Sequence, residues 1–236
     1  CDCPDGFEGE FCQDKIIQLK MIYLDGQVYE TFTYDENGDL SQRGKYSNNG
    51  TLHFTAAYNY DEDSLVIRYV HHVSGSESFL KFEDIGNNEI RREFIPNGVS
   101  TGEYYIYKDV NQSCGYSGFE IYSTNGIFFS DVSIEYRDEH CSNLRIDRNI
   151  HFDSIYFRRE TTNDEFNYPF PKGKNRFLPE PNRGNTIKLV LKDGGIELNA
   201  LNSYTSTFSY NEDRYPVEEV RTYYNGDTET YSYEYY

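Results

Sequence analysis

Hydrophobic and polar residues alternate along most of this chain, and turn-forming pairs interrupt the alternation at short intervals. Aromatic residues at every second position lie on one face of a β-strand. Pairs such as Asp25-Gly26, Asn49-Gly50 and Asn125-Gly126 stand between these runs and are typical of tight hairpins. The connections are too short for parallel crossovers. The pattern therefore predicts a meander of antiparallel strands.

One version of this pattern is written three times, at residues 32–40, 58–66 and 208–217. In each copy a strand end with alternating aromatic residues leads into an acidic turn and then into a second strand. Acidic, Asn and Gly residues close turns with their side chains or tolerate left-handed backbone. The copies are unequally spaced, which disfavours a regular solenoid.

Composition supports the same fold class. The chain has 24 Tyr and 16 Phe but no Trp, and aromatic residues favour pleated sheets over helices. Long runs of Ala, Leu, Glu and Lys, which a helical protein needs, are missing. We expect an all-β fold in which one large antiparallel meander forms a curved open sheet, a half-barrel or a sandwich. This β domain is expected at 15–236, after a short stub at 1–14.

Charge narrows the range of partners. The chain has 40 acidic and 22 basic residues, a formal net charge of −18, which repels nucleic acids and anionic membrane surfaces. We predict no nucleic-acid partner. No stretch approaches the roughly 20 apolar residues that a spanning helix requires.

The segment 163–185 interrupts the strand pattern. It contains four prolines, at positions 169, 171, 179 and 181, and proline removes a donor from a strand ladder. The segment is predicted to be a long loop or an edge segment that contacts a partner or covers the core. Its basic residues, which are the candidate partner contacts, are Lys172, Lys174, Arg176 and Arg183.

The stretch from Cys1 to Cys12 resembles the last part of an EGF-like module, with Gly6-Phe7-Glu8-Gly9 as the turn between Cys3 and Cys12. The resemblance implies a Cys3–Cys12 disulfide. Cys1 then takes the place of a module cysteine whose partner would lie upstream; alternatively, it is the lipidated N-terminal cysteine of a bacterial lipoprotein. Disulfides persist in oxidising compartments, so we expect an exported protein.

The other two cysteines, Cys114 and Cys141, flank two strand-like runs. A disulfide across neighbouring strands is plausible for an exported chain. His140 stands beside Cys141, but the closely spaced ligand pairs of structural zinc sites are missing. We predict no metal site here.

The hairpins at 30–70 and 204–236 resemble those of YD-repeat β proteins and of secreted Bacteroidota lipoproteins, which carry Tyr-x-Tyr-Asp hairpins and end in a Tyr-x-Tyr strand. Here those residues are Tyr58-Asn59-Tyr60-Asp61 and, at the chain end, Tyr233-Glu234-Tyr235. The resemblance implies a surface or periplasmic protein built on an open, curved antiparallel sheet.

Catalytic signatures are weak. No phosphate-binding loop or dinucleotide fingerprint occurs. The segment 114–118 departs from a nucleophile elbow, and the acidic turn at 35–39 lacks the ligand spacing of an EF-hand. We predict no catalytic residue and no cofactor.

The functional hypothesis is an exported, non-enzymatic protein, anchored at the cell surface, that acts as a binding or structural module for a glycan or a cell-surface protein. Tyr104, Tyr105 and Tyr107 are the candidate ligand contacts, because exposed tyrosine rings stack on sugars or pack on partners. One alternative is a carbohydrate-active enzyme with paired carboxylates. Another is a carrier that holds an apolar ligand in the concave face of the sheet.

Overall fold

The computed structural model describes residues 7–8, 14–15, 17–108, 117–137, 141–149, 154–164, 185–193, 196–197 and 203–236. These residues form strands and turns without a helix, so no helix within them has the length and apolar character to cross a membrane. The strands are β1 (Phe7–Glu8), β2 (Asp14–Lys15), β3 (Leu19–Leu24), β4 (Gln27–Tyr34), β5 (Leu40–Tyr46), β6 (Leu52–Tyr60), β7 (Ser64–His71), β8 (Glu77–Gly86), β9 (Glu89–Pro96), β10 (Tyr104–Lys108), β11 (Gly118–Tyr122), β12 (Phe128–Tyr136), β13 (Asn143–Asn149), β14 (Ser154–Asn163), β15 (Thr186–Asp193), β16 (Ile196–Glu197), β17 (Tyr204–Tyr210), β18 (Pro216–Tyr223) and β19 (Thr228–Tyr235).

Strands β3 to β15 and β17 to β19 each pair antiparallel with their neighbours in sequence, and β16 adds a short pairing to β15. The last strand then pairs with the first: Tyr231 lies opposite Leu24, and Tyr235 lies opposite Leu19. In the described part of the chain these sixteen strands make a closed barrel. The two-residue strands β1 and β2 pair separately.

The expectation of an all-β antiparallel meander is confirmed. The structure differs from the expected curved open sheet, half-barrel or sandwich in one respect: the β19–β3 pairing joins its two edges. An unpaired edge strand exposes a row of backbone donors and acceptors, which closure satisfies. Nothing local in β3 or β19 indicates that the two ends of the chain meet.

The two faces of the sheet differ in chemistry. On β7, Leu65 and Ile67 are 0 % and 2 % exposed, whereas Arg68 on the opposite face is exposed. Pairing carries the same face around the sheet, since Ile67 lies opposite Leu80 and Tyr58. Apart from glycines, the buried side chains of the barrel strands lie on this face. It is therefore the inner face of the barrel, with a packed layer of Leu, Ile, Val, Phe and Tyr.

The outer face carries charged residues paired between or along strands. The ammonium of Lys20 lies 2.5 Å from the carboxylate of Glu234, and the guanidinium of Arg68 lies 2.5 Å from that of Glu77. Further outer-face pairs are Lys81–Glu83, Lys108–Glu89 and Lys108–Glu120. The outer wall of the described strands thus carries many ion pairs, beside apolar side chains such as Phe79, Ile95 and Ile106.

The repeated tyrosines anchor strand ends to their neighbours. The hydroxyl of Tyr34 donates to the carbonyl of Leu19 at 2.9 Å, and that of Tyr60 donates to the carbonyl of Leu40 at 3.0 Å. In the third copy, Tyr210 donates to the carboxylate of Asp164. Tyr34 and Tyr60 thus each reach from the end of one strand to the adjoining strand, whereas Tyr210 reaches Asp164, which follows β14 on the far side of β15. This contact explains why tyrosine recurs at this position.

The residues after these tyrosines close the turns. Asp35 Oδ1 accepts hydrogen bonds from the backbone N–H groups of Asn37 and Asp39, each at 2.9 Å. Asn211 Oδ1 accepts one from the N–H of Tyr215 at 2.9 Å. Because alternate hairpins of a meander lie at the same end, all three acidic turns stand on one rim of the barrel.

We predict that Tyr60→Phe lowers the free energy of unfolding by about 1 kcal/mol, because the carbonyl of Leu40 loses its phenolic donor. Tyr46→Phe is the control, since the hydroxyl of this half-buried tyrosine makes no hydrogen bond to any described residue. Urea unfolding followed by circular dichroism measures both. Equal losses in the two variants would contradict the anchoring role.

Candidate ligand-binding interior

Aromatic rings on the inner face stay partly open to solvent. A barrel of about 8 strands is filled by its own side chains, whereas one of about 16 strands encloses a water-filled space. The inner-face rings agree with this rule: Phe94 is 43 % exposed. The half-buried inner-face tyrosines include Tyr60, Tyr69, Tyr105, Tyr233 and Tyr235. The interior therefore presents accessible aromatic surface.

One charged cluster on the inner face is built on β4 and β5. Glu30 is only 4 % exposed. Its Oε2 accepts from Arg43 Nε at 2.9 Å, and its Oε1 accepts from Arg43 Nη2 at 2.7 Å. Lys45 Nζ lies 3.7 Å from the same carboxylate and 4.8 Å from the ring centre of Tyr29. Such a two-point contact fixes both partners and occupies both carboxylate oxygens.

A second cluster lies on β17, β18 and β19. Glu219 is 3 % exposed. Its Oε1 accepts from Ser206 Oγ at 2.6 Å and from Arg221 Nη2 at 2.9 Å, while its Oε2 accepts from the hydroxyl of Tyr233 at 2.7 Å. Each oxygen of this buried carboxylate has a donor, which offsets the cost of removing the charge from water.

Aromatic rings enclose the arginine of this second cluster. The guanidinium of Arg221 lies 4.3 Å from the ring centre of Tyr204 and 4.5 Å from that of Tyr231. Burial acts to lower the pKa of Arg221, but Tyr204, Glu219 and Tyr231 outweigh it and raise the pKa. Glu229 Oε2 accepts from both Tyr223, at 2.5 Å, and Tyr231, at 2.6 Å. The cluster is a satisfied network.

Arg92, on β9, has a different environment. It lies on the inner face between Phe82 and Tyr105 in register. Its Nη1 donates to the hydroxyl of Tyr107 at 3.1 Å, and its guanidinium lies 5.2 Å from the ring centre of Tyr105. Its Nε is buried without a hydrogen-bond partner. Arg92 forms no ion pair with any residue that the structure describes.

The three predicted contact tyrosines do not share a face. Tyr104 lies on the outer face, stacked on Tyr122 with ring centres 4.8 Å apart. Tyr105 is half-buried on the inner face, and Tyr107 is buried beside it. Strand alternation separates neighbours in this way. The other candidate contacts, Lys172, Lys174, Arg176 and Arg183, lie outside the described residues.

Sequence reasoning missed the charged residues of the interior. Glu219 is buried, whereas Glu218 beside it is exposed. Glu219 and Arg221 lie on the inner face, whereas Glu218 and Val220 lie on the outer face. This assignment requires the register of the strands, which the sequence does not give. Within the described residues, no group of three or more His, Cys, Asp or Glu side chains is placed to hold a metal ion.

Cys141 is fully buried and disulfide-bonded. The residue to which it is bonded lies outside the described part of the chain. The Cys114–Cys141 pairing therefore stays a prediction. So do the Cys3–Cys12 disulfide and the EGF-like stub, because these cysteines also lie outside the described residues.

No protein-family model matches the chain, and no curated protein sequence matches it. Among solved structures, the chain is similar to a porin-like protein from Bacteroides uniformis, with a TM-score of 0.57 and 15 % identity over 92 % of this chain and 98 % of that one. It also matches a porin-like protein from Bacteroides vulgatus, with a TM-score of 0.46 and 12 % identity over 93 % and 99 % of the two chains. The first likeness shows a shared fold.

We predict that Glu219→Gln lowers the free energy of unfolding by about 3 kcal/mol, because it leaves the largely buried guanidinium of Arg221 without its carboxylate. Glu77→Gln, which breaks the outer-face pair with Arg68, is the control. A pair exposed to solvent contributes little, so its loss should change stability much less. Denaturant unfolding compares the two variants, and equal effects would contradict the buried network.

We also predict a split alkaline titration. Burial raises the pKa of Tyr58, Tyr231 and Tyr235, and a hydrogen bond to Glu120 raises the pKa of Tyr122 to about 12. The unfolded chain then loses phenolic protons first, so stability falls as the pH rises above about 10. Tyrosinate absorbance should report fewer ionised phenols in native protein than in concentrated urea. Coinciding curves would contradict the burial of these rings.

Proposed function

We propose that this chain is an exported, non-enzymatic binding protein whose inner aromatic face holds a glycan. The observation that carries the proposal is the set of half-buried tyrosine rings around a barrel too wide for its own side chains to fill. Tyrosine suits a sugar because its ring stacks on the apolar face of a pyranose while its hydroxyl hydrogen-bonds.

The inner charges favour a polar ligand over an apolar one. Glu30 with Arg43, and Glu219 with Arg221, stand on the same face as the open rings. An apolar ligand beside them would displace water without replacing its hydrogen bonds, which costs free energy. A sugar brings its own hydroxyl groups. The carrier of an apolar ligand is therefore the weaker alternative.

Binding also fits these carboxylates better than hydrolysis. A glycosidase needs two carboxyl groups free to face one glycosidic bond. Both oxygens of Glu30 receive hydrogen bonds from Arg43, and both oxygens of Glu219 have donors. These groups are held by the protein itself, which supports a binding role for the face.

The likeness to a porin-like protein raises the question of a membrane pore. A lipid-embedded barrel carries an apolar band outside and polar residues inside. The described strands differ from this arrangement: ion pairs such as Lys20–Glu234 and Arg68–Glu77 lie outside, and the buried aromatic rings lie inside, beside the Glu30 and Glu219 clusters. We therefore propose that the outer wall faces water at the cell surface or in the periplasm, and that any attachment to the membrane is through a lipid anchor.

The test uses two adjacent tyrosines on opposite faces. We predict that Tyr105→Ala weakens the binding of an oligosaccharide about tenfold, because the inner stacking surface is lost. Tyr104→Ala should leave binding unchanged, since Tyr104 lies outside. A glycan array selects the oligosaccharide, and isothermal titration calorimetry measures the affinity of each variant.

Thermal melting of both variants shows whether each is folded, and Tyr69→Ala gives a second inner-face variant on another strand. A blank glycan array with folded wild-type protein would overturn the proposal. Loss of binding in Tyr104→Ala alone would move the site to the outer wall, and binding of a cell-surface protein in place of a glycan would favour a protein ligand.

A further inference from the structure

Arginines on the inner face fall into two groups. Arg43 and Arg221 each share a carboxylate, from Glu30 and Glu219. Arg92 has no such partner in the part of the chain that the structure describes, and neither has Arg159 on β14, which is exposed. The hydrogen bond that Arg92 makes to a described residue goes to the hydroxyl of Tyr107. A cation withdrawn from bulk water is ordinarily paired, because leaving it alone costs free energy. Arg92 therefore departs from the pairing seen at Arg43 and Arg221.

The surroundings of Arg92 hold its guanidinium in place without neutralising it. Phe82, Arg92, Tyr105 and Ile121 form one row across four strands of the inner face. The guanidinium lies 5.2 Å from the ring centre of Tyr105, and its Nη1 donates to the hydroxyl of Tyr107. Nη2 makes no hydrogen bond to a described residue. An oriented guanidinium with free donors is the geometry that binds carboxylates and sulfate-type groups.

The nearest inner-face acid on the adjoining strand does not fill this role. Asp84 is opposite Ile90, one inner position away from Arg92 in the ladder. Its Oδ1 accepts a hydrogen bond from the backbone N–H of Gly86 at 2.8 Å, in the turn between β8 and β9. No ion pair joins Asp84 to Arg92.

We propose that Arg92 recognises an anionic group on the bound glycan, either the carboxylate of a uronic acid or a sulfate ester. The inference rests on the proposed glycan-binding function and assigns that site its ligand class. The exposed ring of Phe94, two positions along the same strand face, gives the sugar an apolar surface beside the charge. The anion supplies the carboxylate or sulfate partner that no described residue gives Arg92.

The acidic charge of the whole chain does not prevent this contact. The net charge of −18 acts over distances that salt screens beyond about 8 Å at physiological ionic strength. For a carboxylate or sulfate in direct contact with Arg92, attraction to the guanidinium outweighs repulsion by the distant acidic residues. Short anionic oligosaccharides should therefore bind better at physiological salt than at low salt, where repulsion by the protein as a whole reaches further.

The experiment compares three oligosaccharides of equal length: one neutral, one containing uronic acid and one sulfated. Calorimetry on wild-type protein should show about tenfold tighter binding of at least one anionic form than of the neutral form. Arg92→Gln should abolish this preference, so that the neutral and the anionic oligosaccharides bind with equal affinity. Arg92→Lys should retain part of it, because the charge stays and the planar fork is lost.

Arg91→Gln is the matched control, since Arg91 is the adjacent arginine, lies on the outer face and stacks on Tyr104. It should keep the preference. Equal affinity of wild-type protein for neutral and anionic sugars would overturn the role of Arg92 and leave the proposed function standing. Binding of none of the three, nor of any array glycan, would overturn the proposed function itself. Comparing the affinities of the uronic-acid and the sulfated oligosaccharides shows which anion Arg92 recognises.

Discussion

The pairing of β19 with β3 is the contact on which the architecture depends. It joins the two ends of a long antiparallel ladder, so that every barrel strand has a neighbour on each side. Closure also gives the sheet an inside and an outside. The same alternation of residues that would make a two-faced open sheet then separates a polar wall from an enclosed aromatic surface.

Closure of the barrel removes more water from the charged residues of the inner face. On an open sheet, Glu30 and Glu219 would lose less water and their arginine partners would matter less. Inside the ring they are almost inaccessible, and each needs several donors to remain. The two networks also tie β4 to β5 and link β17, β18 and β19, on either side of the closing pair. Polar contacts thus reinforce the region where the chain ends meet.

Much of the local structure could be predicted from the sequence, because hairpins depend on nearby residues. Asp25-Gly26 and Asn49-Gly50 form turns as expected, with Asp25 and Gly26 both at positive φ. The three acidic copies follow strand ends, as predicted. The β19–β3 pairing could not be predicted, because no local residue pattern encodes a contact between the ends of a chain.

The candidate site was only partly accessible to sequence reasoning, for a related reason. The sequence does not distinguish Tyr104, Tyr105 and Tyr107. The register of β10 places Tyr104 on the outer face and the other two on the inner face. Arg91 and Arg92 divide in the same way. A shift of one residue in register exchanges the two faces, so a contact residue can be named only after the ladder is known.

The positions of polar and aromatic side chains on the two faces determine which function this fold can perform. A shared fold does not imply a shared function, since function depends on the chemistry of particular surfaces. Here the buried aromatic rings face inward, beside two ion-paired clusters, and further ion pairs lie on the outer face, where a membrane barrel carries an apolar band. A barrel arranged in this way buries some of its rings, such as Phe32 and Phe82, and leaves others, such as Phe94 and Tyr105, partly open to solvent. The partly open rings are the part of the molecule with binding energy still available, and Arg92, which forms no ion pair with a described residue, decides which polar group they can accept.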